Sequence, residues 1–365
     1  MIFFSDGKLF HASLLCFVVS KFEPLFMAKA AFQMKIKKRP VTLSHSINSG
    51  CNLRCVFCDE WKKNTIGGRQ KDVSLDSVFK IIDLAADFGI TSYNAWSTEP
   101  LLRKDLPEIM AYAKSRKMKT FMITNGILLK KRIHELRDVD YISVSVDGPT
   151  ASREIRGADY DSILDGIRYA SEGGFLNHSL LMNCVISSKN LDEVIDFVHF
   201  AKELGNVKMA VEPIYLFKRM DDTNWDDLLI QDDQRGKFKD LMTRLIDLKK
   251  QGYPLINSKT YLKQIRDNRP IQNCRVDRGV LAIDDLSRMY HCRIHNKPLG
   301  NVLEQSVFNE DGTIQKNGIA EIWNLTKKER VEILKNCEGC QFFGYAELTL
   351  MNNYNIESFY GYEWL

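Results

Sequence analysis

The chain has 365 residues, 44% of them hydrophobic and 27% charged, with a net charge of +4. This is an ordinary globular composition with room for one large or two medium domains, and the positive balance is too small to argue for a nucleic-acid partner. The nine cysteines fall in groups that need reduced thiolates, which argues against a secreted disulfide framework and for a cytoplasmic setting.

In chain order, residues 1–40 read as a helical, basic N-terminal extension. The apolar run at 14–19 lies between Ser13 and Ser20. It is shorter than the roughly 20 apolar residues that span a bilayer. Residues 1–6 lack the basic start of a signal peptide, and Met27 and Met34 offer alternative starts. Lys35, Lys37, Lys38 and Arg39 add a basic end. Two readings stand: a helix packed on the body of the protein, or a peripheral membrane contact.

Residues 41–255 alternate strand-like and helix-like segments. Strands are expected at 41–47, 91–96, 120–123, 141–146, 180–186 and 207–213. Helices are expected from Ser74 to near Gly89, then at 106–115, 131–136, 160–171 and 191–203. Six such units imply parallel strands with helices outside, a partial (β/α)6 barrel of the TIM type in the α/β class. Chemistry is then expected at the carboxyl ends of the strands. A helix at 237–250 leads to a small α+β extension at 256–345 and an aromatic tail at 346–365.

The loop after the first strand holds Cys51-Asn52-Leu53-Arg54-Cys55-Val56-Phe57-Cys58. Three thiolates this close can converge on one metal centre, and three leave a fourth position open for chemistry. Zinc is the ordinary alternative for clustered cysteines. Zinc ribbons, however, pair one C-x-x-C with another. The run resembles the motif of the radical S-adenosylmethionine (radical SAM) superfamily. The resemblance implies a 4Fe–4S cluster on Cys51, Cys55 and Cys58, with Phe57 beside the SAM adenine. It also implies reductive cleavage of SAM to a 5′-deoxyadenosyl radical, with an electron donor such as ferredoxin or flavodoxin as partner.

The same resemblance assigns SAM contacts at later strand ends. Glu99 stands in Ser97-Thr98-Glu99-Pro100, where the family usually has Gly-Gly-Glu-Pro and contacts the SAM amino group. The missing glycines imply a changed local backbone. Ser145 and Asp147 share one face of the fourth strand. Arg156, favoured over Arg153, would grip the SAM carboxylate. Asn183 would lie near the ribose or adenine. Cys184 and Cys16 read as buried core thiols, and His45 as a packing histidine near the end of the first strand.

Four further cysteines are Cys274, Cys292, Cys337 and Cys340. A polar-turned hairpin is expected between the first two, and the last two form C-x-x-C. This order is similar to the Twitch extension, the shortened form of SPASM, and implies an auxiliary 4Fe–4S cluster on all four. A four-thiolate zinc site fits the same spacing. The expected activity is hydrogen abstraction from, or addition to, a peptide, protein or small metabolite. A lipid or isoprenoid substrate is the alternative suggested by the apolar N-terminus and aromatic tail. A non-catalytic zinc or iron–sulfur scaffold is the alternative of another class.

Overall fold

In a computed structural model, the described residues are 24–58, 60–61, 73–96, 98–173, 179–214 and 225–359. The apolar run at 14–19, Cys16, Ser97, Tyr360, Tyr362 and Trp364 lie outside them. Six parallel strands form the body: β1 (Thr42–His45), β2 (Ser92–Ala95), β3 (Lys119–Thr124), β4 (Tyr141–Ser145), β5 (Ser179–Ile186) and β6 (Val207–Pro213). Helices α2 (Leu75–Phe88), α3 (Leu106–Ser115), α4 (Leu129–Arg132), α5 (Tyr160–Glu172) and α6 (Val194–Leu204) alternate with them, after an N-terminal α1 (Pro24–Ala31). This is the expected partial barrel, with element ends within a few residues of the sequence reading.

The local reasons are visible in α2. Ser74 caps it, its Oγ accepting the Ser77 N–H at 3.1 Å. Val78, Ile81, Ile82, Ala85 and Phe88 fall on one buried face, and Gly89 ends the helix at φ 99°, a conformation that glycine adopts without strain. The strands obey the period of two. Phe121 and Ile123 of β3, Ser143 and Ser145 of β4, and Leu181, Asn183 and Val185 of β5 all face one interior cavity. Their neighbours Met122, Val144, Met182 and Cys184 are buried under the helices.

The C-terminal extension is not a detached unit. β7 (Val280–Ile283) pairs in parallel with β1, and β8 (Arg288–Tyr290) and β9 (Gly300–Asn301) follow antiparallel. One nine-stranded sheet results, in the order β6-β5-β4-β3-β2-β1-β7-β8-β9. After α7 (Arg235–Lys250) and α8 (Lys259–Arg266), two later helices complete the extension, α9 (Gly318–Leu325) and α10 (Lys327–Lys335). α9 lies on α2: Asn317 Nδ2 donates to Leu84 O at 2.8 Å, and Trp323 meets Phe88 edge-on at 5.9 Å. The expected division at 345/346 falls inside a helix, α11 (Phe343–Asn352), which is followed by α12 (Ile356–Phe359).

α11 contacts both β6 and the start of β7. Its Phe343 N–H donates to Glu212 of β6 at 3.2 Å, and its Leu348 presses on Gly279, where an added Cβ would sit 1.8 Å from Leu348 Cδ1. Phe343 and Tyr345 are buried together with Ala346, Leu348 and Met351, so the segment packs on the body. Among the described residues no helix is long and apolar enough to cross a membrane.

Candidate active site

The cysteine loop leaves β1 and is tied down by its own backbone. Cys58 N–H donates to Cys55 O at 3.1 Å, and Val56 N–H reaches Ile155 O at 2.8 Å. Arg54 donates to Cys51 O at 2.7 Å and Trp61 Nε1 to Cys55 O at 3.1 Å. Two N–H groups aim at the Cys51 sulfur: Leu53 N at 3.4 Å and Asn125 Nδ2 at 3.8 Å. Burial pushes the Cys51 and Cys55 thiols above their ordinary pKa. A bound metal centre would reverse that preference and hold them as thiolates.

This donor set suits an iron–sulfur cube, with three thiols on one loop and outer N–H groups directed at sulfur. Among the described residues no three His, Cys, Asp or Glu side chains are close enough to share a single metal ion. A cube presents separate irons to separate thiolates, so it does not ask for that degree of convergence.

Beside the loop lies a cavity of about 310 Å³. Phe57 and Cys58 from the cysteine loop, Trp96 after β2 and Phe342, Phe343 and Tyr345 at the start of α11 are among its walls. Of the residues expected to meet SAM, Phe57, Ser145, Arg156 and Asn183 line this cavity. The Arg156 guanidinium lies 5.1 Å from the centre of the Phe57 ring.

Glu99 and Asp147 are turned inward. Glu99 is fully buried. Its carboxylate accepts Leu101 N at 2.9 Å, Thr124 Oγ1 at 2.8 Å and Asn125 N at 2.8 Å. It thus pins the end of β2 to the end of β3, and burial lifts its pKa to about 7. Asp147 accepts Arg156 Nε at 2.5 Å and Nη2 at 3.0 Å, and also Val185 N at 2.8 Å. The Asp147 carboxylate therefore holds Arg156 in the cavity wall. Thr98, where the family usually has glycine, spends its hydroxyl on Gly50 O. His45 packs: it is fully buried, 3.1 Å from the Tyr93 hydroxyl, with its pKa lowered by burial to about 3.

The second cysteine set comes from three stretches of chain. Cys274 precedes β7 and Cys292 follows β8. An isolated antiparallel bridge from Ile271 to Cys340 brings in the C-x-x-C, with Ile271 N on Cys340 O at 3.0 Å. Burial pushes Cys340 up to about 12, and each of the other three cysteines adds to that shift. Burial likewise raises Cys292 to about 11, with help from Cys274 and Cys337. The four thiols therefore share one neighbourhood. Thr349 of α11 reaches the Cys274 sulfur at 3.8 Å, and Tyr345 accepts the Arg293 N–H at 3.3 Å.

Four residues at the site were not singled out from sequence: Asn125, Trp96, Arg293 and Glu212. Asn125 lies in Thr124-Asn125-Gly126 at the end of β3, a polar turn triplet that is a usable signal in the sequence. Arg293 directly follows Cys292 and stacks on Trp96 across the cavity wall. That contact depends on the β1–β7 pairing, which no local pattern reveals.

Residues 46–201 match the family model of the radical SAM superfamily. Among named proteins, the chain is 28% identical over 237 residues to a "Probable GTP 3',8-cyclase" of Methanococcus maripaludis S2, covering 62% of this chain and 77% of that one. A second "Probable GTP 3',8-cyclase", from M. maripaludis C7, is 31% identical over 208 residues, covering 54% of this chain and 67% of that one. Among solved structures, Streptococcus suis SuiB bound to S-adenosylmethionine matches with a TM-score of 0.57 at 17% identity, covering 76% of this chain and 67% of that one. At that identity the match speaks for the fold alone.

Proposed function

The chain belongs to the radical SAM superfamily, and from that premise we propose that Cys51, Cys55 and Cys58 hold its catalytic 4Fe–4S cluster and that its organic substrate enters the aromatic cavity beside them. Cluster and SAM, when bound, supply a carbon-centred radical that takes hydrogen from the substrate or adds to it. The protein's own part is positioning. Phe57, Ser145, Arg156 and Asn183 offer the SAM molecule an aromatic face, a hydroxyl, a guanidinium and a carboxamide. Asp147 fixes that guanidinium, and Glu99 ties the end of β2 to the end of β3. The apolar walls exclude water from a reactive intermediate.

In this reading Cys274, Cys292, Cys337 and Cys340 hold an auxiliary 4Fe–4S cluster, a closed site with no open iron. A small electron-carrier protein of the ferredoxin or flavodoxin kind supplies the reductant. The observation that carries the reading is one cavity lined both by the first cysteine loop and by the Phe342–Tyr345 stretch that packs on the second set.

For the substrate, a peptide side chain or small metabolite is favoured over a nucleoside triphosphate, despite the names of the relatives. A triphosphate calls for surplus cations. The described lining offers two arginines against two glutamates: Arg156, Arg293, Glu60 and Glu212. Arg156 is already paired with Asp147, and Arg293 lies 3.6 Å from Glu60.

The test is anaerobic reconstitution, metal and sulfide analysis, and SAM turnover under dithionite. Iron and sulfide for two cubes with release of 5′-deoxyadenosine are expected. Zinc in place of the second cube would overturn the auxiliary assignment. Iron-loaded protein that releases no 5′-deoxyadenosine would overturn the catalytic one.

A further inference from the structure

Glu212 is the acid in the cavity wall that the functional reading leaves unused. It stands near the carboxyl end of β6, is 6% exposed, and lines the cavity. Its Oε1 accepts Asn183 Nδ2 at 3.1 Å and its Oε2 accepts Phe343 N at 3.2 Å. Both partners are neutral. Of the charges around it, Arg156 is committed to Asp147 through two hydrogen bonds. The remaining described acid and base of the wall, Glu60 and Arg293, face each other. Counted over the described lining and Asp147 behind it, Glu212 is the negative charge without a countercharge. Buried charges are ordinarily paired.

Two further acceptors point the same way. The carboxamide oxygens Asn94 Oδ1 and Asn183 Oδ1 are buried without a hydrogen-bond partner, and both residues line this cavity. Asn94 is 8% exposed. With Asn183 Nδ2 donating to Glu212, its amide orientation leaves the oxygen for something else. Asn94 Oδ1 and Asn183 Oδ1, beside a carboxylate whose two hydrogen bonds come from neutral donors, make this part of the wall complementary to a donor-rich cation on an apolar body.

We infer that Glu212, held by Asn183 and with the Asn94 carboxamide oxygen as a further acceptor, forms a recognition site for an ammonium or guanidinium group on the substrate. This rests on the functional reading above and narrows its substrate class to amines or basic side chains.

The test uses the reconstituted full chain without reductant and three probes of one shape: benzylammonium, benzyl alcohol and benzoate. Equilibrium dialysis should rank benzylammonium about tenfold or more above the other two. Glu212→Gln should erase that ranking, and Glu212→Asp, which keeps the charge, should retain most of it. Should the Gln variant fail to fold, the wild-type ranking and the Asp variant decide. Equal binding of the three probes, or a preference that survives Glu212→Gln, overturns the site. So does competitive displacement of benzylammonium by SAM, which would make Glu212 part of the SAM pocket. Release of 5′-deoxyadenosine is scored separately. A chain that ranks the probes as stated but does not cleave SAM keeps this site and loses the functional reading, and the converse result loses the site alone.

Discussion

The two cysteine sets are built in opposite ways. Cys51, Cys55 and Cys58 lie on eight consecutive residues, and their backbone is folded by bonds within the loop and to Ile155. Cys274, Cys292, Cys337 and Cys340 span a much longer stretch. They meet because β7 docks on β1, a hairpin turns back, and Ile271 bridges to Cys340. A local loop can leave one coordination position open to a cavity. A set gathered by tertiary structure draws its ligands from several sides, which suits a closed centre. The proposed reading follows that contrast, with catalysis at the first set and a supporting role at the second.

Removing each set in turn is the strongest way to break that contrast. A Cys51/Cys55/Cys58→Ala chain should lose release of 5′-deoxyadenosine to background while keeping the iron of the second set. A Cys274/Cys292/Cys337/Cys340→Ala chain should lose about half the iron and still cleave SAM without substrate. Iron analysis and chromatography of the nucleoside read both. Loss of cleavage in the second variant, with its fold intact by circular dichroism, would erase the distinction between the sets.

A second comparison sets the buried pair beside the first site against an ordinary surface pair. Asp147→Ala strands the nearly buried Arg156 guanidinium and leaves Val185 N–H without its acceptor. Breaking a buried pair by removing one partner costs about 3–5 kcal/mol. The Lys130–Asp165 pair has side chains 53% and 55% exposed, and Asp165→Ala should cost about 0–1 kcal/mol. Denaturant melts of the two variants should differ accordingly. Equal losses would mean that Arg156 finds solvent or another partner once Asp147 is gone.

How much of this was readable in advance follows from the same contrast. Spacing alone exposed the first cysteine loop, and periodicity exposed the six strands and their helices, because both are local. The direction of the Glu99 and Asp147 side chains was not readable. Glu99 faces inward because two donors at the end of β3 converge on it, and Asp147 because Arg156 and Val185 N–H do. Such choices are made between elements distant in sequence. The cavity role of Glu212 was hidden for the same reason, since its meaning comes from what Arg156 and Arg293 already hold. The expected boundary at 345/346 falls inside α11 because aromatic composition does not say where a helix starts or which face it buries. Leu348, Met351 and Glu347 answer that only by contact.

That helix gives a smaller expected effect than the buried pair. Glu347 on α11 is 2% exposed. It accepts Ser258 N at 2.6 Å, a free N–H at the start of α8, and Ser358 Oγ at 2.7 Å. Burial raises its pKa from 4.5 to about 6. Below pH 4.5 both folded and unfolded chains carry the proton, and the stabilising contribution is complete. Between pH 4.5 and 6 the unfolded chain has released it while the folded chain keeps it, so this contribution falls as pH rises, by roughly 2 kcal/mol in all. Glu347→Gln offers an oxygen to Ser258 N and an N–H to Ser358 without any charge to bury. It should match the wild type near pH 4.5 and exceed it by up to about 2 kcal/mol at pH 7.5. Other buried acids, Glu99 among them, titrate in the same window, so the informative quantity is the difference between the two melting curves at each pH. A constant difference across that window would mean that Glu347 titrates alike in folded and unfolded chains. The anchoring of α11, which places Thr349 against Cys274, would then rest on its apolar face.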